Sequence, residues 1–88
     1  MTKEIQFTQL GSGWEHSFSS TGAVAVQVNA KSAGRILVYA SLDGLSRALV
    51  GEMENPYGNS FFGIDVPAGA MVYIWSSTEV TQARMQDV

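Results

Sequence analysis

His16 is the only histidine of the chain and so the only imidazole that could serve as a general base or a metal ligand near neutral pH. It lies in the alternation Trp14-Glu15-His16-Ser17-Phe18, between two aromatics on one strand face, where a histidine is expected to pack rather than react. A Ser-His-Asp arrangement forms in space and not in sequence, yet nothing marks one serine as a nucleophile and no Gly-x-Ser-x-Gly elbow occurs. Eight carboxylates always permit a pair at the spacing of glycoside hydrolysis, for instance Glu52 with Glu54 or Asp43 with Asp65, and that freedom gives such pairs no weight. Glu52, Glu54, Asn55 and Asn59 offer hard oxygens for calcium but fit no loop template. Gly11-Ser12-Gly13 has His16 where a dinucleotide fingerprint needs its last glycine, and it precedes a strand pattern, so it reads as a turn. The expectation is a protein without catalytic residues, metal or cofactor.

The aromatic residues carry more. Between Phe61 and Ser77 the chain reads FFGIDVPAGAMVYIWSS, two strand patterns around a Pro-Ala-Gly turn. In the second pattern Ala70, Val72 and Ile74 form an aliphatic stripe, and Met71, Tyr73 and Trp75 form a larger stripe on the other side. A half-solvated strand alternates apolar with polar, so a strand with two apolar faces meets something on both. Arg35 to Ser41 repeats the pattern, with Ile36, Val38 and Ala40 on one side and Leu37 and Tyr39 on the other. Leu37, Tyr39, Met71, Tyr73 and Trp75 are therefore the expected oligomer interface, because interfaces enrich Tyr and Trp and deplete charge. Trp14, Tyr39, Tyr57, Tyr73 and Trp75 would alternatively supply platforms for sugar rings, with Asn55, Tyr57, Asn59 and Trp75 as the ligand-binding set, or else Trp14 and one of the others fill the core while Tyr57 decorates a loop.

The elements that hold these residues are strands. Lys3 to Leu10 reads as an N-terminal strand, Trp14 to Phe18 as a short second one, and Val24, Val26 and Val28 give the cleanest alternation. Arg35 to Ser41 leads into the tight Asp43-Gly44 connection, a weaker strand covers Ala48 to Met53, and Glu54 to Asn59 has the composition of an exposed loop. Phe61 to Val66, Ala70 to Ser76 and Glu79 to Met85 complete the set. No stretch sustains a core-helix period; Glu79 to Val88 fits one only weakly. About eight short strands with Gly, Pro and Ser punctuation predict an all-β fold, a single β-sandwich or jelly-roll-like barrel over residues 1–88.

Eighty-eight residues suffice for one domain with one thin core. The chain is 45% hydrophobic and 15% charged, below the roughly 25% charged of ordinary domains, which suggests a surface partly covered in use. A net charge of -3 with five dispersed Lys and Arg argues against nucleic acid as a partner. Without cysteine there is no disulfide framework, and no window reaches the ~18 apolar residues of a membrane span. The beginning, MTKEIQFTQL, has no apolar signal segment, so cytoplasmic synthesis without a signal peptide is expected.

The cysteine-free, Ser/Gly/Ala-rich strand texture, with VYASLDG at 38–44 and FFGIDVPAGAMVYIWSS at 61–77, resembles small β-sandwich accessory proteins and fibre or decoration domains of bacteriophages. The resemblance implies a homo-oligomer, often a trimer, whose subunits bury apolar sheet faces around an axis, within a virion and beside other virion proteins. Some such modules attach to host-surface glycans. The resemblance has no motif to align, and no functional residue is carried over from it.

Overall fold

Strict alternation of β-branched residues decides the centre of the molecule. In the computed structural model, which describes residues 2–88, Val24, Val26 and Val28 face Ile36, Val38, Val72 and Ile74, and none of the seven exposes more than 2% of its surface. Fully burying each such side chain contributes about 1.5–3 kcal/mol before entropy losses. Ile5, Ile64, Val66, Ala83 and Met85 extend this core, and Phe7, Phe18, Met53 and Phe62 pack around it.

The fold is all-β, with nine strands in two antiparallel sheets: β1 (Thr2–Glu4), β2 (Thr8–Leu10), β3 (Gly13–Ser19), β4 (Val24–Ala30), β5 (Gly34–Ser41), β6 (Ala48–Asn55), β7 (Asn59–Ile64), β8 (Met71–Ser76) and β9 (Val80–Asp87). One sheet has the order β1-β9-β4-β7 and the other β2-β3-β8-β5-β6. The pairs β1/β9, β3/β8, β4/β7 and β5/β6 nest like rungs of one long hairpin, which then closes through β4/β9 and β5/β8.

Two expectations change. Lys3 to Leu10 is two short strands, β1 in one sheet and β2 in the other; buried Ile5 and half-buried Phe7 mark the crossing between them. The last strand is where its pattern places it, as β9, whose alternating Ala83 and Met85 reach the core. The predicted exposed loop Glu54 to Asn59 is instead a tight turn between two strands that run into it. Asn55 is 1% exposed and its Oδ1 accepts from Ser60 Oγ at 2.8 Å. Gly58, at φ 74°, lies where a Cβ would meet the Ala30 carbonyl oxygen at 2.7 Å, so only glycine lets this turn close against β4.

Candidate functional site

Register assigns the two faces of the five-stranded sheet. The rows Trp14-Ser76-Ile36 and His16-Ile74-Val38 point to the core, and the rows between them point out. Those outer rows are Glu15-Trp75-Leu37-Glu52 and Ser17-Tyr73-Tyr39-Leu49, followed by Ser19-Met71-Ser41. Leu37, Tyr39, Met71, Tyr73 and Trp75 thus lie together on one outer face, each half-buried among the others. Leu49, 52% exposed, extends the apolar surface on the side of β6.

A glycine and an ion pair shape this face. At Gly13 a Cβ would fall within the indole of Trp75, so the ring lies across the backbone of β3 and only glycine permits that approach. Arg47, just before β6, crosses the sheet with its guanidinium 3.6 Å from the centre of the Tyr73 ring and meets Glu15 as a fork, Nη1 to Oε1 at 2.8 Å and Nη2 to Oε2 at 3.5 Å. The Glu15 side chain is only 10% exposed beneath it. The hydrogen bond to Glu15 raises the Arg47 pKa further above its ordinary value, so the cation is permanent. Leu10, Glu15, Leu37, Tyr39, Arg47 and Trp75 line a groove of about 520 Å³. That size suits a small ligand or an inserted side chain, and its mostly apolar lining with two charged groups suits either.

The other outer face is polar. Its rows are Thr2-Gln86-Ala25-Gly63, Glu4-Arg84-Gln27-Phe61 and Gln82-Asn29-Asn59, in which Phe61, 76% exposed, is the one large apolar side chain.

His16 is packed. Its ring lies between Phe7 and Phe18, with centroids 5.9 and 5.8 Å away, and Nδ1–H donates to the Gln6 carbonyl at 2.9 Å. Glu52 and Glu54 both bind Arg35, at 3.1 and 3.3 Å, which accounts for their proximity without chemistry. Among the described residues no group of three or more His, Asp or Glu is placed to hold a metal ion.

The expected sugar-binding set is not brought together. Asn55 is turned inward and bonded, Tyr57 stands 91% exposed at the tip of the β6–β7 turn, Asn59 begins β7 in the polar-faced sheet, and Trp75 lies on the opposite outer face. Trp14 faces inward, which removes it from the platform as well. Sequence reasoning missed Leu10, Gly13, Glu15 and Arg47 as parts of the aromatic face. The β2/β3 and β3/β8 registers and the long reach of Arg47 bring them there. No family model, curated protein or solved structure matches this chain.

Proposed function

We propose that the protein is a non-enzymatic structural subunit, a phage or prophage virion accessory, that forms a homo-oligomer, foremost a trimer, through the outer face of the five-stranded sheet. The observation that carries this reading is the asymmetry of the two outer faces. A solvated antiparallel sheet shows polar residues outward, as the four-stranded sheet does, whereas the other presents Leu37, Tyr39, Met71, Tyr73 and Trp75. The molecule measures 32 × 29 × 19 Å, so a broad face offers on the order of 900 Å², against about 800 Å² per partner in a standard interface. The nested strand order supports reading the two sheets as a jelly-roll sandwich with β2 as an added strand. By fold-level analogy alone, that architecture is at home in capsid and lectin domains.

Light scattering coupled to size exclusion tests the reading. The wild type should elute as a multiple of 9.5 kDa, and Tyr73→Glu or Trp75→Glu as a folded monomer. A wild type that stays monomeric at high micromolar concentration overturns it.

The groove supports a second reading, saccharide binding at a host surface. The indole of Trp75, laid over Gly13 with Tyr39 and the Glu15–Arg47 pair in the same groove, combines an aromatic platform with hydrogen-bonding groups. Silence on a glycan array together with unchanged Trp fluorescence on sugar titration rules against it.

A further inference from the structure

Residues 42–46 of the β5–β6 connection hold two leucines in solvent on a rigid frame. Leu42 is 86% and Leu45 88% exposed. Asp43 Oδ1 accepts from Leu45 N at 2.8 Å, Ser46 N at 2.9 Å and Ser41 Oγ at 3.0 Å, and Ser41 Oγ, itself buried, accepts from Gly44 N at 2.9 Å. Gly44 completes the turn at φ 77°. Four hydrogen bonds thus fix a loop whose apolar side chains contact almost nothing in their own chain. Single exposed leucines are ordinary, but a preorganised pair, continued along the edge strand by Leu49 and Val50 at 52% each, is a surface built to be covered.

Resting on the assembly reading above, we infer that Leu42 and Leu45 of one copy insert into the groove formed by Leu10, Leu37, Tyr39 and Trp75 on a second copy. The convex pair and the concave groove are apolar features of one chain that do not satisfy each other within it. At about 520 Å³ the groove has room for both isobutyl groups. Charge agrees with the pairing. Asp43 is the only charged residue of the knob, and its three side-chain bonds all use Oδ1, leaving Oδ2 to accept from a neighbour. The groove offers Arg47, whose side chain is 44% exposed and whose guanidinium, already paired with Glu15, would bridge that carboxylate and Asp43. A contact between two different patches closes as a ring where its rotation permits and otherwise runs on as a filament, or it is made reciprocally across a twofold axis; the closed forms place a knob in every groove.

The test uses Leu42→Ser/Leu45→Ser as the knob variant and Tyr39→Glu as the groove variant, each checked for wild-type far-UV circular dichroism. Light scattering across a dilution series should show the knob variant needing roughly a hundredfold higher concentration to assemble. A one-to-one mixture of the two variants should recover association at concentrations where neither variant associates alone, because one supplies an intact groove and the other an intact knob. A knob variant that assembles like wild type, while Tyr73→Glu is monomeric, overturns the knob and leaves the assembly reading standing. Loss of assembly in the knob variant without recovery on mixing means that the leucines meet some other surface or partner, and it overturns the pairing. A monomeric wild type removes the assembly reading and this inference with it.

Discussion

Gly13→Ala is the substitution whose sign depends most directly on the geometry of the aromatic face. The backbone at Gly13 is not in the left-handed region, so an alanine in this strand would ordinarily stabilise by about 0.4–1 kcal/mol through the unfolded chain. Here the new Cβ lands on the indole of Trp75, and the ring must swing outward. Trp75 is half-buried, and a tryptophan buries roughly 150–250 Å² in all, so its displacement re-exposes on the order of 100 Å², about 2.5 kcal/mol. The two effects leave a net destabilisation of roughly 1.5–2 kcal/mol. At about 4–8 °C per kcal/mol for a domain of this size, Tm falls by roughly 5–15 °C. Thermal melts by circular dichroism give the number, and the tryptophan emission shifts to the red. A double-mutant cycle isolates the cause: in a Trp75→Ala background Gly13→Ala should be neutral or stabilising. A Gly13→Ala protein that melts at or above the wild-type temperature with unchanged emission would refute the description of the indole laid over Gly13 and the groove that depends on it.

Arg47→Ala should cost roughly 1–2 kcal/mol, since it removes the cover over Tyr73 and leaves the Glu15 side chain, 10% exposed, without its partner, whereas Arg35→Ala, between carboxylates that are 46% and 71% exposed, should cost under about 0.5 kcal/mol; urea titrations of the two variants side by side compare them. Gly58→Ala, at φ 74° and against the Ala30 carbonyl, should destabilise by about 2 kcal/mol or more, read as a lower urea midpoint at unchanged slope. The Asp43 carboxyl, held by the amides of Ser46 and Leu45 and by the Ser41 hydroxyl, titrates below its ordinary 3.8. Because the folded value is the depressed one, its stabilisation is full above 3.8 and is lost as pH falls through the folded value, and Asp43→Asn should flatten that part of the acid limb; carbon-detected NMR titration of the carboxyl checks the direction.

The strands with clear alternation were legible because burial there follows side-chain order alone. Val24 to Ala30 is a strand with the bounds its alternation implies, and the two faces of Arg35 to Ser41 and of Met71 to Ser76 separate as their stripes indicate. Which stripe of Met71 to Ser76 is core was not legible, since both are apolar, and volume decided it: Val72 and Ile74 fit the narrow space between the sheets, while Tyr73 and Trp75 lie outside. Glu54 to Asn59 misled for a different reason. Asn, Pro and Gly suit a solvated loop and a tight turn equally, and the buried Asn55–Ser60 hydrogen bond depends on two strands meeting there. Gly13, Glu15 and Arg47 were illegible as site residues because their roles arise from cross-strand register and from a side chain reaching from just before β6 to β3, which no local pattern records.

The size of the exposed surface bears on why the aromatic face exists. The chain exposes 5166 Å², close to the roughly 5,000 Å² expected of a compact monomer of 9.5 kDa. Folding therefore leaves no deficit that a partner must repair, and the core between the sheets is complete without the outer face. Met71, Leu37 and Tyr39 could be polar at little cost to the monomer, as Gln27, Arg84 and Gln86 are on the other sheet. Apolar side chains that the fold does not require point to binding. It follows that variants on this face should separate association from stability: Tyr73→Glu removes assembly with a modest change in the unfolding midpoint, while Ile74→Ala, one residue along the same strand and fully buried, should lose about 2–5 kcal/mol of stability.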